Sequence, residues 1–68
     1  MKLYYTDINK NKRLIAESES IDDILIAVEE DAKRKFVVLK NLKIVNLNSG
    51  RYAFMKSNGE ESGYSVEE

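Results

Sequence analysis

From Ser20 to Lys35 every local signal in the sequence agrees on one helix, and that helix limits what the rest of the chain can build. Ile21, Ile24, Leu25, Val28 and Ala32 recur at helical spacing and predict a single apolar stripe. Ser20 suits the N-cap, where its hydroxyl would accept a hydrogen bond from an unpaired amide of the first turn. Asp23, three residues on, resembles the second member of a capping box. Asp22 and Asp23 stand where the helix dipole favours negative charge, and Lys33, Arg34 and Lys35 where it favours positive charge. Glu29–Lys33, Glu30–Arg34 and Asp31–Lys35 each place an acid four residues before a base. A lone helix with one apolar stripe must bury it against the rest of the chain.

What surrounds the helix reads as strand. Leu3, Tyr4, Tyr5, Thr6 and Ile8 suit a pleated, half-buried surface, and Leu14-Ile15-Ala16 forms a second such stretch. Asn9-Lys10-Asn11-Lys12 between them is turn-prone, because Asn tolerates left-handed backbone. After the helix, Phe36-Val37-Val38-Leu39 is continuously apolar, and Leu42, Ile44 and Val45 extend the β character. One strand over 36–47 would reach about 40 Å at ~3.3 Å per residue, too long for so small a domain, which predicts a break near Lys40-Asn41. Asn48-Ser49-Gly50 supplies a turn into Arg51–Lys56, and Asn58-Gly59 a further hairpin signal. The reading is an α+β domain, a small antiparallel sheet of four or five strands in the order ββαββ(β), with the helix over about 21–35 on one face. Residues 1–59 form that single domain. Residues 60–68, where only Tyr64 and Val66 are apolar, form an acidic C-terminal segment, either an edge strand or a tail.

Length and composition then exclude chemistry. A chain of 68 residues buries only about 60% of the surface its unfolded form exposes, so its core is thin. Without Cys or His it has no disulfides, no thiolate or imidazole metal ligand, and no Ser-His or Cys-His nucleophile. Gly50, Gly59 and Gly63 are isolated, so no phosphate-cradling glycine loop exists. Catalysis, cofactor and metal are all excluded from the expected function. The N-terminal residues lack the apolar stretch of a signal peptide, and the longest apolar run, Ile24–Val28, is far short of a membrane span, so a soluble cytoplasmic protein is expected.

Net charge is −1, but it sums blocks of +3 over 1–16, −7 over 17–31, +7 over 32–59 and −4 over 60–68. The acidic block holds the helix, where Ile26 lies off the core stripe among Asp22, Asp23, Glu29 and Glu30. An apolar residue ringed by acids resembles the centre and rim of a binding patch. The leading expectation is a non-enzymatic protein-binding module, an inhibitor or regulator acting by surface occupation. The Lys-, Asn-, Ile- and Glu-rich composition and small size suit a phage-type inhibitor of a host defence protein. The alternative is a nucleic-acid-binding domain whose basic blocks share one sheet face, with Tyr4, Lys43, Arg51, Tyr52 and Lys56 meeting bases and phosphates. A third reading is a homodimer formed through an exposed edge strand.

Overall fold

Six elements follow one another in a computed structural model that describes residues 1–35, 43–48 and 50–68. They are β1 (Lys2–Thr6), β2 (Lys12–Glu17), α1 (Ile21–Arg34), β3 (Lys43–Asn48), β4 (Arg51–Met55) and β5 (Glu61–Glu67). The five strands form one antiparallel sheet in the order β2-β1-β5-β4-β3, with α1 packed on one face. The fold is therefore α+β, as the sequence predicts. The expected strand start at Phe36–Leu39 and the break near Lys40-Asn41 lie outside the described residues.

The C-terminal segment departs from expectation. Residues 61–67 are neither edge nor tail; β5 is the central strand, paired with β1 on one side and β4 on the other. The physical reason is the pleat. Successive strand residues face opposite sides, so Tyr64 and Val66 reach the helix side together, and both are buried. A central strand with one wet face needs only every second residue apolar, and two suffice here.

The core is built from α1 residues Ile24, Val28 and Ala32 against Leu3 of β1, Phe54 of β4, and Tyr64 and Val66 of β5. Burying each of the larger aliphatic or aromatic side chains contributes about 1.5–3 kcal/mol. A bulge between the Leu3–Ala16 and Tyr4–Leu14 pairs makes Ile15 the extra residue of β2. Ile15 and Ala16 both pack against the core as a result, and Leu14 turns to the opposite face.

Two details of the helix differ from the sequence reading. Ile21 and Leu25 are not part of the buried stripe; they lie on its flank, 43% and 38% exposed, while Asp31 takes a buried place beside Ala32. The Ser20 hydroxyl makes no capping bond. Ser18 serves instead: its hydroxyl oxygen accepts from the Ser20 amide at 3.1 Å and donates to the Asp23 carboxylate at 3.1 Å. The N-terminal chain is thereby tied to the first turn by a side chain two residues earlier than predicted.

Candidate interaction surfaces

The outer side of α1 carries the predicted patch. Asp22, Asp23, Ile26, Glu29 and Glu30 are all exposed, and Ile26 is 53% exposed. Their spacing follows from the helix: at 3.6 residues per turn, positions 22, 26, 29, 30 and 33 fall on one face, opposite Ile24 and Val28. Lys33 shares the C-terminal end of that face, so the carboxylates dominate its N-terminal two-thirds. Of the three acid–base pairs in the sequence, Asp31–Lys35 is the one that closes among the described residues. Glu29 and Glu30 form no ion pair there.

The five residues proposed for nucleic acid do not share a face. Tyr52 packs against the core on the helix side, because it alternates with Arg51 and Ala53 and keeps register with Asn46. Tyr4, Arg51 and Lys43 point to the open face, and Lys56 stands beyond β4, where its amide donates to the Glu60 carbonyl in the turn. One face of the Tyr4 ring is already engaged by a cation. The Lys12 ammonium lies 4.2 Å from its centroid and is also paired with Glu67. That pairing holds the Glu67 carboxyl below its ordinary range.

Among the described residues the open face is not basic either. One cross-strand row reads Glu17, Lys2, Glu67, Arg51 and Asn48 from edge to edge, so its charges alternate. The physical cause is again β5, whose acids enter between two basic strands. The next row of that face, Leu14, Tyr4, Ser65, Ala53 and Val45, carries no charge.

A polar cluster at the C-terminal end of α1 escaped the sequence reading. Asp31 is buried, accepts from the Tyr64 hydroxyl at 2.7 Å, and is ion-paired with Lys35. The Lys35 ammonium also lies 3.8 Å from the Tyr5 ring centroid, and the Tyr5 and Tyr64 rings are 4.9 Å apart. Burial by itself would raise the Asp31 pKa, but the hydrogen bonds from Lys35 and Tyr64, aided by the charges of Lys35 and Arg13, hold it below its ordinary value. Burial and the adjacent carboxylate push the Tyr64 hydroxyl far above its ordinary value of 10. Each group is consumed by its neighbours, which makes the cluster a structural clasp between helix and sheet. The signal was present in the sequence: Asp31 is seven residues after Ile24 and four before Lys35, on the buried side.

Among the described residues, no three Asp, Glu, His or Cys side chains converge as metal ligands, and no helix is long and apolar enough to cross a membrane. Comparisons with protein-family models, curated proteins and solved structures find no match to the chain.

Proposed function

We propose that this protein is a non-enzymatic binding module, an inhibitor or regulator that occupies a partner protein's surface with the outer face of α1. The observation that carries this reading is the exposed Ile26 set among the carboxylates of Asp22, Glu29 and Glu30. An apolar contact surrounded by like charges suits a protein surface with a small apolar recess and a basic rim. The charges would speed encounter and fix orientation, and Ile26 would supply desolvated contact. The nucleic-acid alternative has less support, since Tyr52 packs against the core on the helix side and one charged row of the open face alternates in sign.

The test is capture from source-cell lysate with wild type and with an Asp22→Lys, Glu29→Lys, Glu30→Lys variant. All three substituted side chains are exposed, so the variant loses no core contact, and its circular dichroism spectrum checks that the helix is kept. A protein held by wild type and released by charge reversal supports the reading. Equal retention of every captured protein by both would sink it.

A further inference from the structure

We propose that β3 is the pairing edge for a second copy of this chain, so that two five-stranded sheets join into one continuous sheet across a twofold axis. This surface is distinct from the outer face of α1 and does not rest on the function proposed for it.

The two edges of the sheet differ in a way that favours this. At one edge, β2 carries Lys12, Arg13 and Glu17 among six residues, the charged pattern that discourages edge-to-edge pairing. At the other edge, β3 has the sequence Lys-Ile-Val-Asn-Leu-Asn, with one charge at its first position. Every residue of β3 is exposed, and among the described residues it pairs with β4 alone. Among the described residues, such an edge leaves a row of backbone N–H and C=O groups to water alone, a ready template for another strand.

Its apolar side chains are exposed on both faces of the sheet. Ile44, 45% exposed, points to the helix side, where with Ile21 and Tyr52 it borders an apolar groove of about 290 Å³. Val45 and Leu47, 41% and 47% exposed, are the other two. Val45 keeps register with Ala53 on the open face, and Leu47 shares a recess there with Ala53 and Gly63. A partner strand alone would cover apolar groups above and below it at once.

The strand is also complementary to itself. Antiparallel pairing about an axis near Val45 sets Val45 beside its own copy and Ile44 beside Asn46. The two Lys43 side chains then stand at opposite ends of the pair, so no like charges face each other. Such an interface is isologous, and the charged β2 edges at the two outer ends stop further growth. The expected assembly is thus a closed dimer.

Sedimentation equilibrium from micromolar to millimolar concentration tests this. Wild type is expected to rise from 7.8 kDa toward twice that mass. Val45→Lys, which brings two ammonium groups together near the axis, is expected to raise the dimer dissociation constant at least tenfold with an unchanged circular dichroism spectrum. Leu14→Lys on β2 is expected to leave dimerisation unaltered. If Val45→Lys does not fold, wild-type amide exchange decides, with protection of β3 amides rising with protein concentration. A 7.8 kDa species throughout the range would overturn the proposal. So would a dimer that Leu14→Lys dissociates and Val45→Lys does not, or β3 exchange that is independent of concentration.

Discussion

Asp31 is the one charged residue among the buried ones described, and its two partners set how the molecule responds to pH. Its folded pKa lies below the ordinary 3.8, so its contribution to stability is present above that value and is lost as pH falls through the folded pKa. Tyr64 has the opposite sign at the other extreme. Its folded pKa is raised, so its contribution is present below 10 and is lost as pH climbs toward the folded value. Urea unfolding across pH should show stability falling at both ends. In Asp31→Asn the acid slope should flatten, and in Tyr64→Phe the alkaline one. Tyr64→Phe also removes a donor from a buried carboxylate, which should cost about 1–3 kcal/mol at neutral pH. Two backbone positions are equally specific. Lys10 has φ of 63°, left-handed backbone that the sequence assigned to its Asn neighbours. Lys10→Gly should therefore stabilise by roughly 1 kcal/mol in thermal or urea unfolding. Gly63 has φ of 93°, and a Cβ there would lie 3.0 Å from the Thr6 carbonyl oxygen and 3.0 Å from the Tyr5 ring. Gly63→Ala should cost about 1–3 kcal/mol from backbone strain alone, and more from the clash with β1.

At the scale of elements, the helix was legible because its determinants are local. Periodicity, dipole-matched charges and spacing all lie within one stretch, and they place it to within a residue of Ile21–Arg34. Its cap was less legible, since Ser18 and Ser20 are both plausible acceptors and the chain's approach to the first turn decides between them. Strand identity was legible for the same local reasons, whereas strand order was not. The place of β5 depends on pairing with β1, more than fifty residues away in the chain, and nothing in residues 60–68 announces it. A chain ending at Gly59 makes the consequence measurable. It would lose Tyr64 and Val66 from the core and leave β1 and β4 with no strand between them. The prediction is loss of chemical-shift dispersion and of cooperative unfolding; a truncated chain with native dispersion would show that β5 is dispensable.

On the scale of the whole molecule, the near-zero net charge conceals separation, though not along the line that the sequence suggested. Acidic groups do gather on the outer face of α1, as its −7 block implies. Among the described residues no basic counterpart forms on the sheet, because β5 carries Glu61 and Glu67 into its middle. The helix patch could be read from sequence because one element holds it all. The composition of a sheet face could not, because it depends on which strands become neighbours. Among the described residues the outer face of α1 gathers carboxylates over its N-terminal two-thirds, with Lys33 at its C-terminal end, and the proposed function rests on that surface. The most direct test is a titration of the captured partner with wild type and with the Asp22→Lys, Glu29→Lys, Glu30→Lys variant at low and high salt. The account predicts that wild-type affinity weakens as salt rises and that the variant binds at least about tenfold more weakly at low salt, a difference of ~1.4 kcal/mol or more. Equal affinity of the two proteins at low salt would contradict it.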